Sequence, residues 1–255
     1  MMLFMFLVRY LGNSFYEQYI YSRGLIEIMI EARYTRNIGT LTEEENILLF
    51  SKRVCVVGCG GLGGYVIESL GRIGVGNITA IDNDVFEESN LNRQITSEIE
   101  LLGKSKAIAA KDRMNRVNPS VNVNALHLRL DADNAVSLLA GHDVVVDALD
   151  SIATRRILQS VCEELEIPIV HGAIGGWFGQ VSVINPGDKT FDKIYPSSVE
   201  HGIEKSFGNP SFTPAVVGSI QACETIKLLI GRGEILSKKV LSIDLLHQDY
   251  FEFSV

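Results

Sequence analysis

The chain has 255 residues, 46% of them hydrophobic and 21% charged, which allows a full core and excludes wholesale disorder. A formal net charge of -8 argues against a broad phosphate-binding surface for nucleic acid, though not against a small basic pocket for a phosphorylated ligand. The four cysteines, Cys55, Cys59, Cys162 and Cys223, form no CxxC pair, so neither a zinc knuckle nor a disulfide scaffold is signalled and a reducing, cytoplasmic setting is expected.

Residues 1–31 are aromatic and apolar with sparse charges, and are read as one or two helices forming a packing appendage or dimer arm. The apolar run from Met1 to Val8 ends at Arg9, too short for a membrane span, and no basic stretch opens it as in a secretory signal. Residues 31–40 are polar and basic. A short helix follows over Leu41 to Phe50, with Thr42 as cap and Glu45 completing a capping box. Residues 1–50 therefore read as a helical extension and arm, and residues 51–255 as the main domain.

At Arg53 the pattern changes. The apolar run Val54 to Val57 leads into Gly58-Cys59-Gly60-Gly61-Leu62-Gly63-Gly64, a helical stretch to about Ile73, and a strand from Asn77 to Ile81 that ends at Asp82. Helices at Ser105 to Arg116, Asn134 to Ala140 and Ser151 to Leu165 alternate with strands at Val121 to Leu128, Val144 to Val146 and Pro168 to Val170. That alternation predicts an α/β fold, a Rossmann-like, mostly parallel sheet with helices on both faces. Beyond it come a strand at Gln180 to Ile184, a long crossover loop over about 187–214 and a helix from Ala215 to Ile230. Antiparallel edge strands at Lys239 to Ile243 and Tyr250 to Phe253 close the chain.

Gly58, Gly60 and Gly63 match GxGxxG between a strand and a helix, where backbone must approach phosphate closely and the free amides of the helix point at it. Asp82 closes the second strand, where a carboxylate can grip ribose hydroxyls. Glycine spacing alone puts a dehydrogenase first. The segment from Asp82 through Asp84, Asn90 and Arg93 to Gln94, followed by Lys104 and Lys106, shifts the weight. Cations and amides beside the nucleotide suit a triphosphate whose pyrophosphate must be neutralised as it leaves. Asp147 and Asp150 stand at a strand's carboxyl end, where either could hold magnesium or cap the next helix.

Six ordered blocks together resemble the ThiF/MoeB/HesA family, bacterial relatives of ubiquitin-activating enzymes. They are RYTR at 33–36, GCGGLGG at 58–64, DNDVFEESNLNRQ at 82–94, GKSKA at 103–107, DALDS at 147–151 and VVGSIQACETIKLLIG at 216–231. The resemblance implies a homodimer that binds ATP and magnesium and adenylates the terminal glycine carboxylate of a small ubiquitin-like carrier protein ending in Gly-Gly, releasing pyrophosphate. It implies nucleotide contacts from Gly58, Gly60, Gly61, Gly63, Asp82 (ribose), Asp84, and from Asn90, Arg93 and Lys106 (phosphates). Asp150 would hold the metal, and Arg36 would reach across the dimer to the partner's ATP. A carboxylate is already a nucleophile, so no general base is needed, and His171 and His201 receive no role.

Two departures stand out. The CxxC pairs that bind zinc in many relatives are missing, so no zinc is expected, and the crossover loop has no cysteine to form a covalent adduct. Cys59 and Cys223 are expected to be buried as small hydrophobes. The enzyme would stop at the adenylate and hand it to a separate sulfur donor or nucleophile. The rival readings are a peptide, small-molecule or transfer-RNA adenylating enzyme, a non-catalytic scaffold of the same fold, and an NAD- or FAD-dependent oxidoreductase.

Overall fold

A computed structural model describes residues 19–22, 25–28, 30–196 and 207–255. In the N-terminal region, β1 (Tyr19–Ser22) and β2 (Leu25–Ile28) pair antiparallel, with Tyr19 opposite Ile28. These eight residues are strands where the sequence reading expected helix. Aromatic and β-branched residues dominate both runs, and Gly24 separates them in the sequence, which is hairpin chemistry. The rest of the helix expectation over 1–31 falls largely on residues outside those described.

Helix α1 (Glu43–Ser51) starts as its capping box demands. Thr42 Oγ1 accepts from the Glu45 amide at 3.2 Å, and Glu45 Oε2 accepts from the Thr42 amide at 2.8 Å. Then come β3 (Arg53–Val57), α2 (Gly61–Ile73) and β4 (Asn77–Ile81), the strand, glycine turn, helix and strand read from the sequence. α3 (Lys106–Val117), β5 (Asn122–Leu126), α4 (Ala135–Leu139), β6 (Val144–Asp147), α5 (Ile152–Glu164) and β7 (Ile169–Gly175) continue the alternation. β8 (Phe178–Ile184), α6 (Thr190–Ile194), α7 (Phe212–Ile230), β9 (Lys239–Asp244) and β10 (Asp249–Ser254) complete the domain. α6 lies within the stretch read as loop, because five residues are too few to display a helical period.

One eight-stranded sheet carries the molecule, in the order β10-β9-β8-β7-β6-β3-β4-β5. β7, β6, β3, β4 and β5 run parallel, and β8, β9 and β10 extend the sheet antiparallel. The central parallel strands are mostly apolar because both faces are covered, whereas the edge strand β5 alternates exposed Asn122 and Asn124 with buried Val123. Along β3, Val54 and Val56 join the core under α2, α3 and α7, while Cys55 and Val57 join the core under α4, α5 and α6. The chain runs outward from β3 to β5 and then returns to β6 on the other side of β3. The carboxyl ends of β3 and β6 therefore diverge at a topological switch point, where an open α/β sheet binds its ligand.

Candidate active site

A cavity of about 640 Å³ opens at that switch point. Gly58, Gly60, Gly61, Asp82, Asp84, Asn90, Arg93, Lys106 and Asp150 all line it. Thus β3, β4, β6, α3 and the loop after β4 converge on one space from positions almost a hundred residues apart. Gly63 does not line the cavity. It acts one layer behind, since a Cβ there would collide with the Gly58 carbonyl oxygen. Gly58 itself has φ +95° and sits against the Ala148 carbonyl, so it needs glycine twice over. The turn then delivers α2 with Gly60 at its N-cap and Gly61 as first helical residue, aiming unpaired first-turn amides at the cavity.

Asp82 braces this turn. Its Oδ2 accepts from the Cys59 amide at 2.6 Å and its Oδ1 from the Asp84 amide at 2.7 Å. Burial pushes its carboxyl above the ordinary value, and these two amides with Lys106 only partly offset that. Lys106, the first residue of α3, is buried, and its Nζ reaches Asp84 Oδ2 at 2.9 Å. Asp84 is largely exposed and can exchange this pairing for solvent, leaving a desolvated ammonium facing the cavity. Asn90 is buried and closes a capping turn by accepting from the Glu87 amide at 3.1 Å. Arg93 is half-buried, held by the Ser89 carbonyl at 3.0 Å and Asn92 Oδ1 at 2.9 Å. Both of these partners are neutral acceptors, so its charge is not cancelled there.

The two acids after β6 separate completely. Asp150 is exposed at the cavity wall and makes no hydrogen bond or ion pair among the described residues, so it is free to take a cation. Asp147 lies buried beneath the floor, where Oδ1 accepts from the Leu149 amide at 3.0 Å and Oδ2 from His171 Nδ1 at 2.7 Å. Burial alone would raise its carboxyl, but the Arg155 charge and the His171 hydrogen bond outweigh that and hold it below the ordinary value. Burial pushes His171 below its ordinary value, so the ring is neutral, with Nδ1–H donating to Asp147 and Nε2 accepting from Gln180 at 3.2 Å. Neither acid caps α5; Ser151 does, accepting from the Thr154 amide at 3.3 Å.

Sequence reasoning missed this floor, which also includes Arg155, a cavity-lining cation on α5. It also missed the apolar wall of Leu128 and Leu130, whose only signal was the alternation continuing past β5. Apolar surface of this kind in the lining suits a purine base.

Arg36 lies away from this cavity. Its segment docks behind α2 and α3: Arg33 Nη1 donates to Asn118 Oδ1 at 2.7 Å, and Asn118 Nδ2 donates to Tyr34 Oη at 2.9 Å and the Gly71 carbonyl at 2.7 Å. Arg33, which had no evident partner in the sequence, also pairs with Glu31 at 2.7 Å. Arg36 is exposed and pairs with no described residue of its own chain.

Cys59 is fully buried as expected, its thiol raised by burial and by Asp82. Cys223 corrects the reading: it is exposed. α7 hides Gln221, Glu224 and Thr225 and turns Ser219 and Cys223 outward, so its buried face cannot be read from hydrophobicity. His201 lies outside the described residues.

The ThiF family matches residues 34–255 of the chain. The SAMP-activating enzyme E1 of Haloferax volcanii is 39% identical over 217 residues, covering 83% of this chain and 80% of that protein. The chain belongs to the ThiF family. It is an adenylyltransferase of that family. The sulfur carrier protein adenylyltransferase of Thermus thermophilus is 37% identical over 217 residues, 79% of this chain and 78% of that one. Among solved structures, Escherichia coli MccB with ATP superimposes at TM-score 0.75 with 21% identity, covering 89% of this chain and 71% of that one, which supports the fold. No helix among the described residues of this ThiF-family protein is long and apolar enough to cross a membrane.

Proposed function

We propose that this adenylyltransferase activates the C-terminal glycine carboxylate of a small ubiquitin-like sulfur-carrier protein ending in Gly-Gly, working as a cytoplasmic homodimer. Residues 1–50 serve as its arm and residues 51–255 as its adenylation domain. The observation that carries this is Asp150, a carboxylate that lines the same cavity as the glycine turn and has no partner among the described residues. A dinucleotide oxidoreductase has no use for such a group beside cations. The names of the relatives at 39% and 37% identity support a carrier protein over a free peptide.

In this reading the turn Gly58 to Gly63 and the α2 amides receive phosphate, and Asp82 takes the ribose hydroxyls with lone pairs its backbone bonds leave open. Asn90, Arg93 and Lys106 face the leaving pyrophosphate. Asp150 would hold magnesium, which neutralises phosphate charge when bound; as a hard cation it needs only one or two carboxylates beside phosphates and water. The carrier's carboxylate oxygen bonds to the α-phosphorus, the bond to the bridging oxygen breaks, and pyrophosphate departs with its electron pair. Positioning and charge stabilisation suffice, without a general base. No zinc is expected, because the chain lacks a CxxC pair.

Pyrophosphate exchange into ATP tests the proposal. Wild-type protein with carrier should catalyse it, and Asp150→Ala should lose about 10²–10³-fold with an unchanged melt, because this exposed side chain makes no bond to any described residue. Protection from melting by NAD but not by ATP would overturn the reading.

A further inference from the structure

Beneath the nucleotide floor lies a buried chain of polar side chains that the adenylation reading does not use. Its outer end is Tyr195, the residue that closes α6. The Tyr195 hydroxyl oxygen accepts from Arg155 Nη1 at 2.5 Å and from Gln180 Nε2 at 3.1 Å, and its ring packs edge-on to His171 with centroids 5.6 Å apart. Arg155 also donates inward: Nη2 to the Leu149 carbonyl and, at 3.2 Å, to the Gly172 carbonyl. Its Nε lies 3.6 Å from Asp147 Oδ2, and Asp147 in turn holds the Leu149 amide. Leu149 is thus held by both its amide and its carbonyl, and its carbonyl belongs to the peptide that leads into Asp150. The neighbouring Arg156 donates to the carbonyls of Tyr195 at 2.8 Å and Pro196 at 3.1 Å, fixing the same corner from outside.

A guanidinium has a fixed fork geometry, so an acceptor at one tip orients the others. We propose that Tyr195 is a positioning residue for the cation-binding acid. By holding Arg155 it fixes the Leu149 carbonyl, and through that peptide the direction in which Asp150 faces the cavity. This rests on Asp150 being the magnesium acid. It adds that the segment after β8 takes part in setting magnesium affinity, without touching metal or nucleotide.

The test is magnesium dependence of ATP binding, read by calorimetry and by ATP-induced thermal shift, without carrier. Tyr195→Phe keeps the ring against Phe191 and His171 but removes the acceptor. It should raise the magnesium concentration for half-maximal ATP binding about tenfold, the worth of one hydrogen bond to a charged group. ATP affinity at saturating magnesium should change little. Arg155→Lys keeps the charge beside Asp147 without the fork and should shift the magnesium midpoint at least as far. It serves alone if Tyr195→Phe does not fold. Gln180→Met, which loses a bond to the same hydroxyl but none to Arg155, should lower the melting temperature and leave the midpoint unmoved. A midpoint unchanged in Tyr195→Phe or Arg155→Lys, or moved equally by Gln180→Met, would make the network structural only and overturn the inference. Wild-type ATP binding that ignores magnesium would instead remove the Asp150 assignment, and this inference with it.

Discussion

Gly60 and Gly63 stand three residues apart in one motif, yet they are glycine for different reasons. A Cβ on Gly63 would strike the Gly58 carbonyl oxygen, which is backbone and cannot swing away. A Cβ on Gly60 would meet nothing nearer than Gln94 Nε2 at 3.5 Å, an ordinary contact. No protein atom crowds a side chain at 60, so in the proposed reading glycine serves there to let the phosphate approach the turn. Gly63→Ala should therefore cost about 3 kcal/mol or more of stability in urea melts. Gly60→Ala should melt within a few degrees of wild type and lose about tenfold or more in ATP affinity, the worth of one impaired charge-assisted hydrogen bond. Equal destabilisation of both variants would mean that the turn is glycine-rich for packing only.

At the scale of elements, β6 and β7 are joined by more than their parallel ladder. Asp147 on β6 and His171 on β7 are register partners, and their side chains meet in the interior at 2.7 Å. His171 is held neutral below its ordinary value of 6.5. As pH falls through that value the unfolded chain takes up a proton that the folded chain refuses, so the stability is full above it and is lost toward lower pH. Asp147, also depressed, shifts stability the same way only below its own unfolded value of 3.8. Between pH 7.5 and 5.5 the histidine dominates the pair. His171→Asn keeps a donor toward Asp147 but cannot titrate, and should flatten the fall in melting temperature by about 2–4 °C. A variant whose melt follows pH as steeply as wild type would exclude His171 as the source.

The whole molecule raises the question of Arg36. Its segment is fastened through Asn118 and Tyr34 behind α2 and α3, away from its own cavity, yet its guanidinium is exposed with no described partner. In the proposed homodimer, an arginine on a segment anchored in this way would be the one to reach the partner subunit's site. Arg36→Ala alone should abolish exchange while leaving fold and dimer intact. Mixed in equal amounts with Asp150→Ala, it should recover roughly a quarter of wild-type activity, since half the dimers are mixed and each then holds one whole site. No recovery despite proven subunit exchange would put Arg36 outside the partner's chemistry.

From residues 53 to 184 the sheet and its helices were legible in the chain, because parallel strands covered on both faces must be continuously apolar and helices must carry a period. That the glycine turn, Asp82, Arg93, Lys106 and Asp150 gather at one cavity was legible for a related reason: the carboxyl ends of parallel strands meet at the switch point, and local spacing places these residues there. What local pattern could not decide was the fate of polar groups. Asp147 and Asp150 are three residues apart and chemically identical, yet one is sealed under the floor and the other open to the cavity. On α7 Cys223, expected buried, is exposed, while Gln221 is buried and finds the Asp147 carbonyl at 2.8 Å and the Val170 carbonyl at 3.2 Å inside the core. The partners that make such burial affordable lie on other strands and helices, up to 74 residues away in the chain. Only the tertiary structure brings them together.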